Sequence, residues 1–143
     1  MDVSRHRQQA LSVHEKIRKR LDVVLSRSML LAASPYLHRL KCGKPGCKCA
    51  MGEYRHEMDC VSYMDGDKSR TRVIPKGMKA EVVKMTRAHK RFKTARREMK
   101  ELFDELLSEI DQVGGYRCEQ GMDWFEKLCA QSKAAKRTQG DEP

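Results

Sequence analysis

Three cysteines within eight residues, in the run Cys42-Gly43-Lys44-Pro45-Gly46-Cys47-Lys48-Cys49, constrain this chain more than any other feature. Pro45-Gly46 suits the two central positions of a type II turn, proline fixing the first φ and glycine accepting the positive second one. The chain is therefore expected to reverse between Cys42 and Cys47. Cys49 reaches the same point only if the backbone leaves a regular strand, because residues two apart must both face the metal while Lys48 faces away. Zinc held tetrahedrally takes a fourth ligand. His56 and Cys60 are both near enough in sequence, giving C-x4-C-x-C-x6-H or a final x10-C. His56 is preferred, since it falls in an irregular stretch where an imidazole is free to turn inward. Cys60 reads equally as a buried strand residue, and an iron–sulfur cluster is the lesser alternative to zinc.

The rest of the composition makes a metal useful. Of 143 residues, 39% are apolar, 35% charged and 6% aromatic, which leaves little for a large core in what should be one domain. A two-stranded hairpin alone is marginal, and structural zinc supplies folding free energy on the order of 10 kcal/mol. The opening MDVSRHRQQALSVHEK has no apolar core of signal-peptide type, and no run of about 18 apolar residues follows. The expectation is a soluble cytoplasmic protein with reduced cysteines.

Periodicity predicts an α+β chain. Ala10, Val13, Ile17, Leu21, Val24 and Leu31 recur at helical intervals, giving an N-terminal helix over 1–34 that Ser34-Pro35 ends. A zinc-stabilised module over 35–76 follows: a short strand at 36–41, then a β-hairpin with strands at 58–64 and 69–74 around Asp65-Gly66-Asp67. A long helix over 77–113 should carry a heptad seam, Met78, Val82, Met85, His89, Phe92, Arg96, Met99, Phe103, Leu106, Ile110 and Val113. Gly114-Gly115 is expected to stop it. A short C-terminal helix over 114–137, with Trp124, Phe125 and Leu128 packed back on the body, would precede a disordered tail at 138–143.

A resemblance enters at this point. Cys42 to Ala50, Gly52-Glu53, His56 and the run Ser69-Arg70-Thr71-Arg72-Val73-Ile74-Pro75-Lys76 are similar to an uncharacterised family of small bacterial, archaeal and phage proteins. That family carries CGKPGCRCA, a strand of the form G-x-x-HGPYYYLSY and a second strand like GKTRTRYIPK. The likeness covers roughly residues 37 to 95. It places His56 where the family has its histidine, and it implies a passenger of mobile elements or a transposase-associated protein. It implies no activity. Glu57-Met58-Asp59-Cys60 stands here where the family has Gly-Pro and aromatic residues.

Charge then suggests a partner. The formal net charge is +10, but residues 1–100 carry +15 and residues 101–143 carry −5. A field of that sign attracts polyanions, nucleic acid foremost. Lys84, Arg87, Lys90, Arg91, Lys93, Arg96 and Arg97 would lie along phosphates, with Arg70 and Arg72 of the hairpin and Lys44 and Lys48 of the cysteine loop extending the surface. The basic-then-acidic order along the long helix opposes the helix macrodipole, so something beyond isolated helix stability selects it. The alternative is a coiled-coil adaptor, a homodimer through the long helix with no nucleic acid. No paired carboxylates, Gly-rich phosphate loop or nucleophile with a positioned base appears, so neither enzyme nor small-molecule substrate is expected, nor is a membrane partner.

Overall fold

The computed structural model describes residues 3–138 and contains two helices and one sheet, in the order α1 (Val3–Val24), β1 (Ala33–Leu40), β2 (His56–Asp65), β3 (Lys68–Val73) and α2 (Lys79–Thr138). The α+β class stands. The chain divides into two compact units, one made of the first 21 residues with the chain from Arg97 onward, the other of Asp22–Arg96. Among the described residues no helix is long and apolar enough to cross a membrane.

In the first unit α1 lies antiparallel to the acidic stretch of α2. His6 Nδ1 is 2.6 Å from Glu109 Oε2, the Gln9 amide donates to Glu105 at 3.1 Å, and Arg20 pairs with Glu98. Val13 and Ile17 are buried, as the three- and four-residue spacing requires. Within this unit the expected heptad seam is partly taken up by the chain: Met99, Leu106 and Val113 are half-buried while Phe103 and Ile110 face solvent.

The second unit holds an antiparallel sheet of order β1-β2-β3. Asp65 pairs with Lys68 across the two-residue turn Gly66-Asp67, where Gly66 takes a positive φ. The hairpin is therefore as expected, and the strand expected at 36–41 is β1, which begins three residues earlier and joins the sheet as its third strand. Instead of a helix running to Ala33, α1 ends at Val24, and Ala33 to Leu40 pair with Tyr63 to His56. The Leu31 amide donates to the Met85 carbonyl of α2 at 3.2 Å, so the segment satisfies its backbone outside its own helix. Pro35 sits within β1, where an edge strand tolerates a residue without an N–H.

The expected break at Gly114-Gly115 does not occur, and α2 runs for 60 residues without a separate C-terminal helix. Glycine in a helix interior costs about 1 kcal/mol relative to alanine, which long flanking helix can absorb when no proline intervenes. Trp124, Phe125 and Leu128 do not pack back on the body; they are 65%, 52% and 45% exposed. Of the expected tail, Thr138 closes α2 and 139–143 lie outside the described residues.

Candidate metal centre

Two turns and one strand end bring the four side chains together. The Cys47 amide donates to the Lys44 carbonyl at 3.3 Å and Gly46 has φ +82°, the type II geometry that Pro45-Gly46 favours. The Ala50 amide then donates to the Cys47 carbonyl at 2.9 Å. This second turn is how Cys47 and Cys49 face one point although only Lys48 separates them, with Lys48 exposed. His56 opens β2, paired with Leu40 at the end of β1, so the sheet fixes it beside the loop.

The ligand atoms of Cys42, Cys47, Cys49 and His56 all lie within 4.8 Å of one another. Cys42 Sγ is 3.4 Å from Cys49 Sγ, and Cys47 Sγ is 3.1 Å from His56 Nε2. Zinc with bonds of about 2.3 Å to sulfur has neighbouring ligands about 3.8 Å apart, within the span these atoms cover. The donor set, three thiols and one imidazole, fits zinc, and it is a closed set of four with no position left for a substrate. Cys60 is not among them. It is buried in the middle of β2 opposite Tyr36, whose hydroxyl crosses to Thr71 of β3 at 3.3 Å.

Local electrostatics favours a charged sulfur. The Cys42 backbone N–H donates to Cys49 Sγ at 3.3 Å and is the main reason the Cys49 thiol is drawn down to about 6. The Lys44 backbone amide lowers Cys42, but neighbouring Cys49 and Cys47 outweigh it, so Cys42 is pushed up. Tyr54 stands edge-on to the His56 ring, centroids 5.5 Å apart, and limits its rotation. Neither the donating amide nor this ring contact carried a signal in the sequence.

The basic residues divide into groups. Lys44 and Lys48 are exposed in the metal loop. Arg70 and Arg72 share a face of β3 but are held within the hairpin, Arg70 by Asp65 at 3.4 Å and Arg72 by the Tyr63 hydroxyl at 2.9 Å. Lys84, Arg87, Lys90 and Arg91 line one shallow cleft on α2 with Ala80 and Val83. Lys93 lies in an adjoining cleft with Lys90, His89 and the strand residues Ser62 and Tyr63. Tyr63 thus borders both the hairpin arginines and the helix bases. Arg96 and Arg97 are exposed and line neither cleft.

Comparison with curated proteins and with solved structures gave no match. Residues 14–84, which hold the second half of α1, the metal loop, the whole sheet and the start of α2, match the family model described as a domain of unknown function, DUF6788.

Proposed function

We propose that this chain is a zinc-organised nucleic-acid-binding protein, without catalysis of its own, that contacts phosphates through the basic face of α2. The observation carrying this reading is an imbalance. Lys84, Arg87, Lys90 and Arg91 recur at three and four residues on one exposed face, and none has an acidic partner among the described residues. Like charges at this spacing destabilise a helix by a few tenths of a kcal/mol each, and a polyanion relieves the repulsion. Zinc would fix the loop carrying Lys44 and Lys48 and the strand end that leads into the arginine-bearing hairpin. Duplex DNA or structured RNA would satisfy the same surface, since phosphate contacts position without reading sequence.

The test is a salt titration of binding to duplex DNA and to structured RNA. Each phosphate contact contributes about 0.9 to the slope of log affinity against log salt on duplex DNA. Replacing Arg87, Lys90, Arg91 and Arg97 with Gln should flatten that slope by roughly three to four units while zinc content stays constant. Affinity no tighter than about 10⁻⁴ M at physiological salt, which is weaker than ordinary non-specific binding, would refute the reading.

A further inference from the structure

A second stripe runs along α2 beyond the basic face, within the unit that also holds α1. Phe103, Leu107 and Ile110 begin it and Trp124 and Leu128 end it, all between 45% and 65% exposed. Gly114, Arg117 and Gly121 fill the positions between, so the spacing alternates four and three throughout, the period of a coiled-coil seam. About half or more of the surface of each of its large apolar side chains is open. α1 lies on a neighbouring side, and between the two helices a groove of about 520 Å³ is lined by Ala10, Leu11, Ile110, Gly114 and Arg117 among others.

We infer that a second copy of this chain covers the stripe, with the two α2 helices antiparallel about a two-fold axis between Gly114 and Arg117. The stripe is self-complementary in that direction. Phe103 meets Leu128 of the partner subunit, Leu107 meets Trp124 of the partner subunit, and Ile110 fills the space over Gly121 of the partner subunit. Arg117 stands over Gly114 of the partner subunit, where the missing side chain leaves room for its stem to lie across the seam and its guanidinium to reach water. A parallel pair has none of this. It would set Arg117 against Arg117, glycine against glycine and Trp124 against Trp124, joining a like-charge contact to two voids.

The area is also what a dimer needs. The exposed portions of the stripe, with Phe125 beside it, amount to on the order of 700 Å² per chain, close to the roughly 800 Å² per partner of a standard interface. Seated there, the second α2 would occupy the groove beside α1, and two α1–α2 pairs would close a four-helix arrangement. Leu11, 70% exposed on α1, would be covered by it. This seam shares Phe103 and Ile110 with the heptad expected from the sequence but extends toward the C-terminus rather than toward Met78.

Sedimentation equilibrium on the full zinc-loaded chain at about 10 to 50 μM, the range that resolves a weak protein contact, should give twice the chain mass. Leu107→Glu and Trp124→Lys should each give monomers with zinc content unchanged, and an equimolar mixture of the two should restore the dimer, because antiparallel pairing sets the new carboxylate against the new ammonium. Gly121→Phe improves helix propensity, so it should raise helicity while weakening dimerisation at least tenfold by crowding Ile110 of the partner subunit. A monomeric unmodified chain would overturn the inference, as would a dimer that survives the single substitutions. Variants that stay monomeric when mixed would overturn the antiparallel pairing.

Discussion

Replacing His56 with alanine is the sharpest test of the metal centre, because the structure separates it from the other residue that could complete the set. Four ligands share an apparent zinc-binding free energy of about 10–16 kcal/mol in structural sites at neutral pH, so one ligand accounts for roughly 3 to 4 kcal/mol, or two to three orders of magnitude in affinity. His56→Ala leaves three sulfurs, and water takes the fourth position. Competition against a chromophoric chelator at pH 7 should register that loss, with elemental analysis giving one zinc per unmodified chain. Cys60→Ala is the matched control. Cys60 is buried in mid-strand opposite Tyr36, so its removal leaves a small cavity at a cost of about 1 kcal/mol of stability and should leave zinc affinity essentially unchanged. Undiminished zinc affinity in His56→Ala, or loss of zinc from Cys60→Ala, would refute the assigned ligand set, and substoichiometric zinc in protein purified without chelator would refute the centre itself.

Three further outcomes follow from particular positions. The Cys49 thiol is drawn to about 6 from an ordinary 9, so in the metal-free protein its contribution to stability is present above 9, is lost as pH falls toward 6 and is absent below; thermal midpoints of the metal-free chain should decline across that window and then level, and midpoints that rise on acidification would contradict the Cys42 N–H to Cys49 hydrogen bond. Gly46→Ala forces a side chain into the left-handed region at φ +82°, costing about 1–2 kcal/mol; chelator competition should show weaker zinc binding because Cys47 is misplaced, and unchanged affinity would show that the turn does not set the ligand. Gly115→Ala meets nothing within 4 Å and should stabilise α2 by about 1 kcal/mol, seen as higher helicity and melting temperature; a fall in either would mean that the glycine serves a contact.

The elements written in local chemistry were legible in the sequence. Pro45-Gly46 specified its turn, Asp65-Gly66-Asp67 specified the hairpin, and the three cysteines with His56 specified the candidate centre. What escaped was decided by partners distant in the chain. The sequence predicts β1 only from Tyr36; its extension back to Ala33 rests on pairing with β2, and nothing in Ala33-Ser34-Pro35 announces a strand when proline reads so readily as a helix stop. His6 carried no sequence signal because its partner, Glu109, is contributed by the far end of the chain. The glycine pair misled in the opposite sense. Two residues of poor helix propensity read as a stop, whereas the helix on both sides outweighs them, and Gly114 reads better as room for a second chain than as a break.

The order of charge along α2 now has a physical account in two parts. In isolation, bases near the start of a helix and acids farther on oppose its dipole, at a cost of a few tenths of a kcal/mol per residue in the terminal turns alone. Part of the acidic stretch is offset within the chain, since Glu98, Glu105 and Glu109 each meet a side chain of α1. The dipole at the start of α2 is served by Glu81 and not by the bases that follow it. What remains unoffset is the run from Lys84 to Arg91, whose bases meet no acid among the described residues. With three of those acids held against α1 and this contiguous set of bases left without an acid, the proposed reading has the charge of that face neutralised by a polyanion. Neutralising only that run with glutamine should therefore relieve repulsion and raise the thermal stability of the free protein slightly while weakening polyanion binding. A drop in stability on that substitution would mean that the bases act within the fold.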